Sequence, residues 1–193
     1  MALLLRATDL IGRVVVTIDT GEDLAEVKDV VYGTGHARLL GFTLRRRGFL
    51  GGPMKRVLPF ANVAALGRDA VMIESADALA PSADAFAQAV AKATDRNVLD
   101  DEVLTESGRR LGKVTDVIVL SEGVPEVVGY EVEAGEAMGP RAGTRVLLPL
   151  PSTLAVSGSA LVVPAAAEEF VSDDLAGFGA SVEAFRARLR DAG

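Results

Sequence analysis

Five cationic side chains, Arg45, Arg46, Arg47, Lys55 and Arg56, crowd around a Gly51-Gly52-Pro53 turn in the stretch LRRRGFLGGPMKRVLPF (44–60). Cations at this density can cradle a phosphate, follow a nucleic-acid backbone, or steer an acidic protein onto a docking surface. They can also do something plainer, since charge at a hairpin tip discourages edge-to-edge pairing of sheets. No Gly-Lys-Ser/Thr follows the turn and no helical pattern opens after it, so the stretch is not a P-loop. Nucleic acid is disfavoured, because stacking aromatics are scarce near the cluster and the chain as a whole carries a formal charge of −7. The solvated hairpin tip is the preferred reading, with a docking surface for an acidic protein as the alternative.

Other residues able to do chemistry are sparse. His36 is the single histidine and there is no cysteine, so neither a thiol nucleophile nor a His/Cys metal set can assemble. Asp29 and Asp116 recur in matching sequence contexts, which suits carboxylates that bond turn amides. Glu131 and Glu133 fall on the polar side of the alternating strand pattern GYEVE and are expected to be solvated. Asp100, Asp101 and Glu102 are too few for an oxygen-ligand cation loop and are expected in an exposed linker. No nucleophile–base pair is visible, so the expectation is a non-enzymatic protein without metal or cofactor.

The elements that must position these residues are short strands. VVVTI (14–18) is β-branched and ends on Asp-Thr-Gly, and GFTLR (41–45) alternates apolar and polar. Pro59 and Pro149 mark strand ends or edges, because proline cannot donate to a ladder. Two stretches look helical. Residues 82–97 place Ala85, Phe86, Ala89, Val90 and Ala93 on one face. The last twenty or so residues repeat Leu175, Phe178, Val182, Phe185 and Leu189 at helical spacing. The second is expected to pack on the strands, with dimerisation as the alternative.

The strands repeat. GEDLAEVKDVVY (21–32) and GRRLGKVTDVIV (108–119) share Gly21/Gly108, Leu24/Leu111, Val27/Val114, Asp29/Asp116 and Val30/Val117. LGFTLR then matches VGYEVE, RVLPF matches VLLPL, and AVMIES matches ALVVPA, in the same order. Strand alternation and the repeat predict that Leu24, Val27, Phe42, Leu44, Val57 and Val71 point inward in the first copy. The matching inward set of the second copy is Leu111, Val114, Tyr130, Val132, Leu147 and Leu161. The charge does not repeat: residues 1–96 carry net +1 and residues 97–193 net −8. Arg45 and Glu133, of opposite sign, fall at equivalent positions.

LIGRVVVTIDTGEDLAEVKDVVY, followed by LLGFTLRRRGFLGGPMKRVLPFANVAALGRDAVMI, resembles the PRC-barrel family. The second copy resembles it at Gly-x-x-Leu-Gly-Lys-Val-x-Asp-Val and departs afterwards, with Leu150 in place of phenylalanine after the proline and a less basic loop. The resemblance implies small β-barrels used for docking. The family includes the cytoplasmic part of the photosynthetic reaction-centre H subunit and the C-terminal domain of a ribosome-maturation factor. It implies no catalytic residues. This chain shows neither the H subunit's membrane helix nor the maturation factor's distinct N-terminal domain.

The expectation is therefore an all-β protein of two tandem small antiparallel PRC-type barrels. The first spans residues 1–80, a helical linker 81–97, the second barrel 98–171, and a C-terminal amphipathic helix 172–193. The expected role is a scaffold or adaptor that binds another protein or a second copy of itself. Alternatives are an RNA- or ribosome-associated factor and a peripheral partner of a membrane electron-transfer complex. With no secretory signal pattern and no apolar run near the roughly 20 residues of a membrane helix, a cytoplasmic location is expected.

Overall fold

A computed structural model of the chain describes residues 3–32, 39–47, 52–81, 98–121, 125–151, 155–157 and 160–192. The helical reading of residues 82–97, and with it His36 and Gly51, lies outside the described residues.

Two curled sheets form the body. The first contains β2 (Val14–Thr17), β3 (Asp23–Tyr32), β4 (Leu39–Arg45), β5 (Pro53–Pro59), β6 (Ala65–Leu66), β7 (Ala70–Ile73) and β8 (Ala80–Pro81), in the order β6-β7-β2-β3-β4-β5-β8. The second contains β9 (Glu102–Thr105), β10 (Arg110–Leu120), β11 (Glu126–Ala134), β12 (Arg145–Pro149), β13 (Ala155–Ser157) and β14 (Ala160–Val163), in the order β12-β11-β10-β9-β14-β13. Read strand for strand, β13-β14-β9-β10-β11-β12 repeats β6-β7-β2-β3-β4-β5. The bridge from Leu147 to Ser172 stands where β8 pairs with Val57. The fold is all-β with a C-terminal helix, as the sequence predicts. Each sheet departs from antiparallel order at one ladder, β2 with β7 and β9 with β14, which run parallel.

The equivalence extends to single hydrogen bonds. The Gly12 amide donates to the Val27 carbonyl and the Asp100 amide to the Val114 carbonyl, both at 2.9 Å. Gly12 needs its left-handed φ of +85°, and Asp100 adopts +68° at the same place without glycine's freedom. Val27 opposes Leu44 as Val114 opposes Val132, and Gly41 opposes Pro59 as Gly129 opposes Pro149. The recurring motif marks two bulges. Leu24 and Leu111 fall between shifted ladder pairs, as do Lys28 and Thr115, the residues just before Asp29 and Asp116. Such bulges bend and twist a strand, which is how these long strands curl.

The core runs through both sheets as one cluster. It takes Val15, Val27, Phe42, Leu44, Leu58 and Val71 from the first and Val114, Tyr130, Val132, Leu148 and Leu161 from the second. Leu24 is only partly buried against it, because its bulge turns it from the ladder. Val57 and Leu147 are buried but do not join it. Phe42 and Tyr130 oppose Leu58 and Leu148, so the inward residue of each pair is Leu58 and Leu148.

Leu147 instead lies in a second cluster with Ile118, Val128, Phe178 and Val182, under the C-terminal helix α1 (Leu175–Ala192). Asp174 caps α1 by accepting the Gly177 amide at 2.9 Å. Phe178 sits on Gly129, where a Cβ would come 2.3 Å from the ring's Cζ. Phe185 reaches the main core and packs on Phe170 at 5.6 Å. The helix thus packs on the second sheet. No helix among the described residues is long and apolar enough to cross a membrane.

A short arm joins the two sheets. It comprises β1 (Leu4–Arg6) and a 3-10 turn, Ala7–Leu10. β1 precedes the first sheet in sequence but pairs with β10 of the second, Leu4 with Leu120, Leu5 with Val119 and Arg6 with Ile118.

Candidate functional site

The basic hairpin opens because its two strands do not match. Thr43 pairs with Val57 and Arg45 with Pro53, so Leu44 faces three residues of β5 and that strand is bulged there. The result is a shallow cleft lined by Arg46, Gly52, Pro53, Met54, Lys55 and Arg56. The five cations divide by their partners. Arg45 is ion-paired with Glu26 and Arg47 with Asp23, both acids of β3. Arg56 donates to the carbonyls of Ala76 at 2.9 Å and Leu79 at 2.5 Å, tying β5 to the segment before β8. Arg46 and Lys55 are exposed and have no ion-pair partner among the described residues.

The equivalent surface of the second sheet is built with opposite signs. Glu26 opposes Arg45 in the first sheet, and Lys113 opposes Glu133 in the second. Glu133 is exposed, as alternation predicts, but Glu131 is not: it is 2% exposed. Its face of the sheet is the outer one, and the arm covers it. Glu131 accepts from Arg6 Nε at 2.6 Å, from Thr115 Oγ1 at 3.0 Å and from Arg145 at 3.3 Å.

Asp116 stands across the ladder from Glu131 and is 3% exposed. It accepts from the Val117 amide at 2.7 Å, from the Thr8 hydroxyl of the arm, and from the Tyr32 hydroxyl of β3 at 3.4 Å. Burial pushes the Asp116 carboxyl above its ordinary range, the bonds from Thr8 and Val117 pull it down, and the Glu131 charge pushes it up again. Burial, with the charge and hydrogen bond of Asp116, raises the Tyr32 phenol, which keeps it a neutral donor. Asp29, the sequence partner of Asp116, is exposed and binds Lys28 at 3.1 Å and Thr43 Oγ1 at 3.3 Å. Neither aspartate is in a turn. Both follow a bulge, and of the two only Asp116 bonds a backbone amide among the described residues.

Arg6, Thr8 and Tyr32 were not singled out by sequence reasoning. The available signal was Glu131 itself, a carboxylate where the first copy has Thr43. Asp100 lies in the turn before β9, and Glu102 lies in β9, 3.3 Å from Arg110. Among the described residues no group of three or more His, Asp or Glu side chains could hold a metal.

Two copies of one curled sheet, each with the Gly-x-x-Leu-x-x-Val-x-Asp-Val bulge pattern, define a tandem barrel-type protein. The sequence model of the PRC-barrel domain matches residues 4–79 and again residues 92–170, so the chain belongs to the PRC-barrel domain family, with two copies in tandem. No curated protein matches the chain closely enough to serve as a relative. The first match begins at residue 4, so β1 belongs by sequence to the first copy while its ladder lies in the second.

Proposed function

We propose that the chain is a non-enzymatic scaffold or adaptor that docks an acidic segment of a partner protein at the Arg46/Lys55 cleft of the first sheet. One observation carries this reading. Two copies of one fold differ in charge at the same place, and the first leaves two exposed cations without an acid partner among the described residues. A shared fold does not require that difference. Arg45, Arg47 and Arg56 serve to hold the hairpin, through Glu26, Asp23 and two carbonyls. Arg46 and Lys55 supply the attraction, which raises the encounter rate and fades with salt.

A labelled peptide of alternating glutamate and apolar residues, titrated by fluorescence anisotropy, tests this reading. Binding that weakens with salt and is lost in Arg46→Glu/Lys55→Glu supports it, and equal binding by both proteins contradicts it. If the native chain instead cofractionates with ribosomal particles at low salt, the maturation-factor alternative takes over. If it floats with membrane vesicles, the membrane-complex alternative does.

A further inference from the structure

The junction between the arm and the second sheet holds two buried carboxylates side by side, and the hydroxyls bonded to Asp116 come from the arm and from β3. The arm supplies Arg6 from β1 and Thr8 from the 3-10 turn, with Asp9 in the same turn. β3 supplies Tyr32, β11 Glu131 and β12 Arg145; Thr115 and Lys113 lie on the same strand, β10. Two arginines, Arg6 and Arg145, engage Glu131 directly, whereas Asp116 has hydroxyl and amide donors and no ion-pair partner among the described residues. Glu131 is thus the compensated member of the pair and Asp116 the uncompensated one.

We propose that this junction is a proton-sensitive latch, in which a proton at Asp116 tightens the hold of the arm on the second sheet and its loss loosens that hold. The inference is independent of the hairpin site. When the arm lifts, Thr8 and Arg6 leave, water reaches both carboxylates, and the burial that raises the Asp116 carboxyl is relieved. The proton therefore binds better to the docked state. The added hold is fully present below the ordinary carboxylate range. It is lost as pH rises through the raised docked-state value. Each unit of difference between the two states corresponds to about a tenfold change in the arm's opening equilibrium. Because β1 carries the first copy's sequence into the second copy's sheet, loosening the latch loosens the coupling of the two modules.

Amide hydrogen exchange of the full-length protein tests this, with protection factors corrected for intrinsic exchange at each pH. The reporters are arm-dependent amides, including that of Ser121, which donates to the Leu3 carbonyl at 2.9 Å. Amides of β7, whose ladders run to β2 and β6 and not to the arm, serve as the internal reference. The expected result is arm protection that falls several-fold relative to the reference as pH rises from about 4.5 to about 7.5. In Asp116→Asn that pH dependence disappears, while in Glu131→Gln a dependence remains. A flat wild-type profile overturns the latch without recourse to any variant, and so does an Asp116→Asn profile with the wild-type slope.

Discussion

Asp116 of β10 stands directly opposite Glu131 of β11, and both carboxylates are buried beneath an arm that begins more than a hundred residues earlier in the chain. The arm's ladder with β10 and the Tyr32 bond to Asp116 tie the first copy to the second. The core is also continuous across the junction, so stability in one copy is coupled to the other.

Arg6→Ala leaves Glu131 buried with Thr115 and the mostly exposed Arg145 as its remaining partners. Hydrogen bonds to charged groups contribute about 1.5–3 kcal/mol. A loss of that order is expected in the urea midpoint at unchanged slope. A shift within experimental error would mean that Arg145 compensates fully.

Gly129→Ala forces a methyl group to within 2.3 Å of Phe178 Cζ and 2.6 Å of the Leu148 carbonyl oxygen. Backbone cannot yield there, so Phe178 must leave its seat and α1 must shift. Overpacking of this kind costs about 1–3 kcal/mol. Phe178→Ala, which empties the same seat, is expected to cost about 3–5 kcal/mol. The double variant should cost less than the sum, because the alanine at 178 removes the clash with the ring and leaves only the one with the Leu148 carbonyl. Strict additivity in the urea midpoints would place α1 elsewhere.

Asp100→Gly is expected to stabilise the protein by about 0.5–1 kcal/mol. Asp100 holds a left-handed conformation that costs an L-residue about 1–2 kcal/mol, partly offset by glycine's larger entropy loss. Gly12 already fills the matching turn of the first copy. The thermal midpoint checks the sign, and Asp100→Val should move it the opposite way.

Much of the fold was legible in the sequence because its bulges and turns carry residue identities. Gly21 and Gly108 hold left-handed turns at φ +71° and +80°, and Thr17 and Thr105 fasten those turns through side-chain bonds to the Glu22 and Arg109 amides. Each leaves a trace at fixed spacing. The inward sides of β5 and β12 were misread because Val57-Leu58 and Leu147-Leu148 are apolar at both positions. Only the cross-strand partners Phe42 and Tyr130 settle which one faces the core. Glu131 was misread for a different reason. Alternation gives the face of a strand, not what covers it, and the cover is Arg6, 125 residues away. At the hairpin the sequence shows five cations but not that Glu26 and Asp23 of β3 engage two of them.

Recruitment of an acidic protein partner by Arg46 and Lys55 is tested by comparative capture from native lysate. Three isotopically distinguished baits are used: the wild type, Arg46→Glu/Lys55→Glu, and a control with Arg188→Glu/Arg190→Glu on the exposed end of α1. The expected result is partners retained by the wild type and the control, depleted at least tenfold by the hairpin variant, and released by salt as exposed charges are screened beyond about 8 Å. Equal recovery of the same partners by all three baits would contradict it.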